Sequence, residues 1–326
     1  MTKMTNRARR VAALATGVAS AMAITTAASA EDCRAQKEFA IVVHGGTARA
    51  GNVPEARLVF MKKMLAEMRG DLRRGATALD TVEEAVRQME DSGLFNAGRA
   101  AIANAGGFVE TDASIMNGIT ADAGAVASMR LVKNPITAAR MVMEETRHVM
   151  MAGDRGETAV TELGAETVPA SYFLRNTPEE EPKEHGTVGA AVLDRCGNLA
   201  AGTSTGGYGA KIPGRVGDSP VIGAGTYAKN GVMAGSATGH GEFFIRFTAT
   251  RSVAARMEYG GQTLAEAGDA VVAEMAAAGD GSSGRGGMVM VSAEGEIAMP
   301  FTSEGMVRGY TTNEVRPRVG AFETVD

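Results

Sequence analysis

Apolar residues along the chain alternate between helix-spaced and strand-spaced stretches. Phe39 to Val43 is a short apolar, β-branched run followed by His44-Gly45-Gly46-Thr47, which predicts a buried strand ending in a tight loop. Leu58, Met61, Leu65, Met68 and Leu72 recur at helical spacing and predict a helix from about Pro54 to Arg73. Leu79, Val82, Val86 and Met89 predict a second helix from about Thr77. The methionines in these stripes read as core filling. Leu94-Phe95-Asn96-Ala97-Gly98 is a polar, glycine-bearing loop, and Pro135 opens a third helix running to about Glu145. From Gly153 to Glu184 the pattern weakens and ends in Thr177-Pro178-Glu179-Glu180-Glu181-Pro182-Lys183-Glu184, so residues 153–186 read as a mobile tail.

Beyond the tail, strands are expected at Thr187 to Leu193, Asn198 to Ser204, Val221 to Ala224 and Val232 to Ala237. Helices near Glu242 to Met257 and Thr263 to Ala278 follow, then strands near Met288 to Ser292 and Glu296 to Met299. This order predicts an α+β fold, layers of sheet covered by helices, built as one domain from both halves of the chain. Asp194-Arg195-Cys196-Gly197-Asn198 reads as a hairpin turn with Gly197 left-handed. If Asp194 pairs with Asn198, the register sets Thr205 opposite Thr187, and a loop one residue longer or shorter would undo this.

Composition narrows the class. With 326 residues, 44% of them hydrophobic and 22% charged, the chain is of ordinary globular make-up. Lys3, Arg7, Arg9 and Arg10, the uncharged stretch Val11 to Ala27, and Ala28-Ser29-Ala30 read as a secretory signal over residues 1–30. The expected address is outside the cytoplasm, the periplasm for a Gram-negative source. The remaining 31–326 suffices for one large domain. The net charge of −5 becomes more negative once that basic segment is gone, which argues against nucleic acid or an anionic membrane surface as partner. Cys33 and Cys196 lack partner spacing and read as free thiols, a bridge being the alternative that export permits. His44, His148, His185 and His240 are scattered, so no transition-metal site is expected.

The chemistry concentrates at His185-Gly186-Thr187-Val188-Gly189. A threonine hydroxyl is a weak nucleophile that needs an adjacent base, and the α-amine of an N-terminal threonine can be that base. Such an amine titrates at about 8, so a useful fraction is unprotonated near neutrality. An internal Thr187 gains this amine only if the Gly186–Thr187 bond is broken, most simply by attack of its own hydroxyl on the Gly186 carbonyl. The expected products are an α subunit, 31–186, and a β subunit, 187–326.

From about Phe39 onward the chain resembles the plant-type L-asparaginase/isoaspartyl peptidase family of N-terminal-nucleophile hydrolases. The matching pieces are His44-Gly45-Gly46, Phe95-Asn96-Ala97-Gly98, Asp112-Ala113-Ser114-Ile115-Met116, Gly186-Thr187-Val188-Gly189, Ser204-Thr205-Gly206-Gly207, Pro213-Gly214-Arg215-Val216-Gly217-Asp218-Ser219-Pro220, and Thr238-Gly239 with Gly241-Glu242. Each alone is weak, but seven in order are specific. The resemblance implies a four-layer αββα sandwich, self-cleavage before Thr187, an (αβ)2 heterotetramer, and hydrolysis of L-asparagine and β-aspartyl dipeptides. It also implies Thr187 as nucleophile supported by Thr205, Arg215 and Asp218 on the substrate's α-carboxylate and α-amine, and an oxyanion site at Thr238 and Gly239. Gly241 lines the pocket and Asn96 hydrogen-bonds near the nucleophile in that pattern. No cofactor is implied apart from a structural sodium on the carbonyls of Met89, Glu90, Ser92, Phe95, Ala97 and Arg99.

Two positions depart from the family pattern, His240 between Gly239 and Gly241, and Arg99 after Asn-Ala-Gly. The first could narrow the pocket or add a titrating group; the second could disturb its loop. Competing readings are a glycosylasparaginase-like hydrolase, disfavoured by Gly186 where that family has aspartate, and a non-catalytic exported binding protein that keeps the pocket without cutting itself.

Overall fold

A computed structural model of the chain describes residues 38–49, 53–173, 186–281, 283–322 and 324–325. The expected signal, residues 1–30, and the acidic stretch Thr177 to Glu184 lie outside the described residues. Strand β1 (Ala40–Ala48) is buried along most of its length, and its alternate side chains enter different layers. Ile41 and Val43 pack with helices α1 (Glu55–Arg74), α2 (Ala78–Asp91) and α3 (Pro135–Glu145), whereas Ala40 and Val42 face a second sheet. Covering both faces is why such strands read as continuous apolar runs.

The other strands are β2 (Thr111–Asn117), β3 (Ala123–Met129), β4 (Met150–Ala152), β5 (Val188–Leu193), β6 (Leu199–Thr205), β7 (Thr226–Lys229), β8 (Met233–Gly239), β9 (Gly286–Ser292), β10 (Ile297–Ala298), β11 (Gly305–Thr312) and β12 (Arg318–Gly320). The remaining helices are α4 (Gly153–Glu162), α5 (Gly241–Phe247), α6 (Ala249–Gly260) and α7 (Leu264–Ala278). One sheet has eight strands in the order β12-β11-β1-β5-β6-β2-β3-β4, the other four in the order β10-β9-β8-β7. Helices α1 to α3 cover the first sheet, α5 to α7 cover the second, and a layer of small side chains such as Ala191, Ala201, Ala228 and Ala234 lies between the sheets. This is the expected αββα sandwich.

The hairpin has the expected register: Val188 pairs with Ser204, Gly189 with Thr203 and Leu193 with Leu199. Asp194 and Asn198 close it through a backbone bond of 2.9 Å, with Gly197 at φ 78°. Asp194 also anchors the turn to α2, its Oδ2 accepting from the Ala78 N–H at 3.0 Å.

Several expectations are corrected. His44-Gly45-Gly46-Thr47 is a bulge inside β1, whose pairing with β11 slips between His44 and Thr47, so the strand runs on to Ala48. The span 153–173 is not tail-like: α4 forms there, Val132 bridges Thr167, and Ala165 and Phe173 are buried. A few apolar anchors suffice to pin that segment where no periodicity shows. Val221 to Ala224 turns instead of extending, and the strand follows it as β7. The helix expected from Glu242 to Met257 is split at Thr248, which sits at φ 43°. Cys196, exposed at the hairpin turn, is disulfide-bonded rather than free, because sequence spacing does not report which thiols meet in space. The other cysteine, Cys33, lies outside the described residues.

Candidate active site

Strand alternation decides which side chains meet. On β5 and β6, Ala191, Leu193, Leu199 and Ala201 face the second sheet, so Gly189, Thr203 and Thr205 share that face, with Thr187 in phase just before β5. By the same period His44 extends the row of Ala40 and Val42, Ser114 that of Met116, and Ser236 and Thr238 that of Ala234. Apolar packing at one end of the intersheet layer thus gives way to hydroxyl groups at the other.

Thr187 lies at that polar end and is buried. Its Oγ1 donates to Thr205 Oγ1 at 3.1 Å, and Thr205 Oγ1 donates onward to the Gly186 carbonyl at 3.0 Å while accepting from the Gly207 N–H at 2.9 Å. Each hydroxyl proton has one destination, so the relay is satisfied. Asn96 Nδ2 also donates to the Gly186 carbonyl, at 3.0 Å, and to the Gly207 carbonyl at 2.5 Å. Its Oδ1 accepts from the Ile102 N–H at 2.9 Å, so Asn96 knits three segments together. The carbonyl preceding Thr187 faces two donors, which withdraw charge from its carbon and favour attack there.

A shallow pocket opens beside this group, lined by Thr187, Thr205, Tyr208, Arg215, Asp218 and Gly239 among others. Arg215 stacks on the Tyr208 ring, 4.5 Å from its centroid, and donates through Nε and Nη2 to Glu242 at 2.9 and 3.0 Å. Glu242 takes two of the five guanidinium donors, in the geometry a ligand carboxylate would adopt. Burial raises and Arg215 lowers the Glu242 carboxyl, with a net shift downward. Asp218 is buried, and burial pushes its carboxyl up to about 7 against the pull of Arg215. Among the described residues Asp218 Oδ2 and Thr238 Oγ1 have no hydrogen-bond partner. A buried acceptor and a buried hydroxyl left unpaired cost stability, and both lie where the resemblance sets substrate contacts. Gly241 keeps that space open: a Cβ there would lie 2.7 Å from Asp218 Oδ1 and 2.9 Å from Arg215 Nη2.

Comparison with known proteins agrees with this geometry. A family model described as Asparaginase matches residues 37–180 and 174–321. The chain belongs to this family. Within the asparaginase family it is 42% identical over 309 residues to the isoaspartyl peptidase of Salmonella typhimurium, covering 86% of this chain and 98% of that protein. The isoaspartyl peptidase of Escherichia coli is 41% identical over 309 residues, covering 86% and 95%. A probable isoaspartyl peptidase/L-asparaginase 2 of Arabidopsis thaliana is 36% identical over 330 residues, covering 87% and 99%.

The last turn of α2 and the loop after it carry the six carbonyls expected around sodium in this family, Met89 and Glu90 inside the helix and Ser92, Phe95, Ala97 and Arg99 beyond it. Those of Met89, Phe95 and Ala97 already accept hydrogen bonds, from Ser92 Oγ at 2.8 Å, Ala97 N–H at 2.7 Å and Ala100 N–H at 3.3 Å. Each keeps a second lone pair, and the loop follows the electronegative end of α2, so the donor set suits a hard cation. Arg99 lies over the Tyr172 ring, 5.7 Å from its centroid. Burial holds His240 below the usual histidine range, opposed by Glu242 and Asp280.

Ser236 and Lys211 carry no motif in the sequence, and His44 shows only as part of His44-Gly45-Gly46. His44 Nδ1 lies 3.1 Å from the Thr187 carbonyl and its Nε2 lies 2.9 Å from Ser236 Oγ. Burial drives the His44 pKa down to about 3 against an upward pull from that carbonyl, so the ring is neutral. Lys211 is buried, donates to the Glu110 carbonyl at 2.8 Å, and is held below the usual lysine range by burial, against the pull of Asp112 and Glu110. The visible signal was His-Gly-Gly itself, and Gly189 two residues after Thr187.

Proposed function

We propose that this protein is a self-cleaving amidohydrolase that hydrolyses β-aspartyl dipeptides and the side-chain amide of L-asparagine, releasing L-aspartate. The observation carrying this reading is the relay from the Thr187 hydroxyl through Thr205 to a Gly186 carbonyl held by two donors. The names of the relatives supply the substrate class.

In the first step the Thr187 hydroxyl attacks the Gly186 carbonyl, with Thr205 and Asn96 stabilising the developing oxyanion. The C–N bond breaks as the hydroxyl proton passes to the departing nitrogen, so the acyl shift to the threonine oxygen frees the Thr187 amine, and water then hydrolyses that ester to leave a Gly186 carboxylate and restore the Thr187 hydroxyl. In turnover the amine takes the hydroxyl proton as the oxygen attacks the substrate's side-chain carbonyl. Thr238 Oγ1 and the Gly239 N–H stabilise the oxyanion, a contribution of about 3 kcal/mol per donor. Ammonia or an amino acid departs with the proton, and water releases L-aspartate from the Thr187 ester. Arg215 and Asp218 hold the α-carboxylate and α-ammonium, fixing the β-carbonyl at the nucleophile.

A structural sodium on the carbonyls of the last turn of α2 and the loop after it, an (αβ)2 heterotetramer and export to the periplasm complete the reading. The sodium is supported by the donor set, the assembly by the family resemblance, and export by the N-terminal pattern. The deciding experiment is the intact mass of the mature protein, denatured and with its disulfide reduced, beside Thr187→Ala, with L-aspartate release from both substrates. Two fragments in the wild type, the second beginning at Thr187, and one inactive chain in the variant are expected. One uncut, inactive chain in both would overturn the reading in favour of a binding protein.

A further inference from the structure

Between the two sheets runs a line of buried hydroxyls that no step above uses. His44 Nε2 meets Ser236 Oγ at 2.9 Å, Ser236 Oγ meets Thr203 Oγ1 at 2.6 Å, and Thr203 Oγ1 meets Thr226 Oγ1 at 2.5 Å. Ser114 Oγ reaches Thr226 Oγ1 at 2.8 Å and the Ser219 carbonyl at 2.6 Å, while Thr203 Oγ1 also lies 3.0 Å from the Gly225 carbonyl. These side chains are fully buried and span strands of both sheets, so the line joins Thr187 to the segment carrying Asp218.

Proton counting gives the line a direction. The Thr187 carbonyl can only accept, so the proton of the neutral imidazole sits on Nδ1 and Nε2 is bare. Ser236 must then donate to Nε2, and its own oxygen accepts from Thr203, which accepts from Thr226. The opposite tautomer would set the Nδ1 lone pair against the Thr187 carbonyl at 3.1 Å. Space is reserved for this contact. Gly189 pairs with His44 across β1 and β5, and a Cβ there would lie 1.9 Å from Ser236 Oγ and 2.6 Å from His44 Nε2. The second glycine of Gly186-Thr187-Val188-Gly189 keeps the histidine–serine bond possible.

We propose, on the reading of Thr187 as nucleophile, that His44 is a positioning residue for it: Ser236, Thr203 and Thr226 hold the ring in its Nδ1–H tautomer, and its bond to the Thr187 carbonyl aims the reactive hydroxyl. A residue that has become a chain terminus has lost the preceding peptide that restrained its backbone. A fixed carbonyl then matters more, because small misplacements of a reacting atom cost about 100-fold in rate.

The test compares His44→Asn, whose amide nitrogen can stand where Nδ1 stands, with His44→Gln, whose amide nitrogen can stand where Nε2 stands. His44→Asn should keep self-cleavage and most of kcat, whereas His44→Gln should lose about 100-fold in both with KM unchanged. Equal loss in the two variants, a better His44→Gln, or a loss confined to KM would overturn the proposal. A second readout uses the wild type: ring nitrogen-15 spectra, assigned by elimination with His148→Gln, His185→Gln and His240→Gln. The Nδ1–H tautomer is expected for His44, and an Nε2–H tautomer or an imidazolium would overturn the proposal without any His44 variant having to fold. Thr187→Ala in parallel separates the two readings. Activity retained there removes the nucleophile; activity lost there with wild-type behaviour in His44→Gln removes only the positioning role.

Discussion

The two faces of the central strands bury side chains equally well but by different means. Towards α1 to α3 the contacts are Ile41, Val43, Ile115, Val188 and Val192 against methionines such as Met61, Met64, Met68 and Met89. Towards the second sheet, near Thr187, they are His44, Ser114, Thr203, Thr226 and Ser236 around glycines. Apolar contact is non-directional and methionine fills gaps of many shapes, so the first region depends on total volume. In the second the contacts are directional hydrogen bonds between buried groups, so a single added or missing atom leaves one of them unpaired at a cost of about 1–3 kcal/mol. The same fold carries a tolerant layer and an intolerant one a strand's thickness apart.

The sharpest way to break this contrast is Gly189→Ala. One methyl group should abolish self-cleavage and lower stability by about 3 kcal/mol, read by denaturing gel and by urea unfolding. Wild-type cleavage in that variant would mean that the polar layer yields as easily as the apolar one. Next comes Thr238→Val, which keeps the shape and removes the unpaired hydroxyl. Its kcat should fall about 100-fold with self-cleavage intact, since the Gly186 carbonyl relies on Thr205 and Asn96 instead.

Asp218→Asn probes the same layer through pH. With the carboxyl raised to about 7, Asp218 is protonated below that value in the free enzyme and holds a substrate ammonium only above it. The kcat/KM of the wild type should therefore fall as pH drops through 7, steepened by protonation of the Thr187 amine near pH 8. The variant should be weaker at every pH and should keep only the amine's limb of the profile. The smallest effect belongs to the tolerant region: Met64→Leu should change stability by less than about 1.5 kcal/mol and leave kcat/KM unchanged.

The contrast also explains what could be read in advance. Helices α1, α2 and α3 announce themselves because one face of each is wet, giving the spacing of Leu58 to Leu72 a period to follow. The Thr187 and Thr205 pairing was legible because a three-residue turn fixes every position in a hairpin. Strands β2 and β3 were not, for Thr111–Asn117 mixes polar and apolar residues and Ala123–Met129 is mostly alanine and glycine, and both are buried on both faces, so no alternation marks them. The Arg215–Glu242 pair and the His44–Ser236 bond join residues 27 and 192 apart, and only the completed sandwich brings those partners together.

Strand order carries one more consequence. In the eight-stranded sheet β1 lies between β11 and β5, and β6 lies against β2, so stretches from either side of residue 187 interlock along three ladders. A protein cut there cannot come apart by sliding; its halves are woven. With the Cys196 disulfide reduced, recovery from denaturant then becomes a meeting of two molecules, faster at higher concentration for the cut enzyme and indifferent to concentration for uncut Thr187→Ala. For such a molecule the scission works as a one-way latch, since the active form owes its construction to a continuous chain that no longer exists.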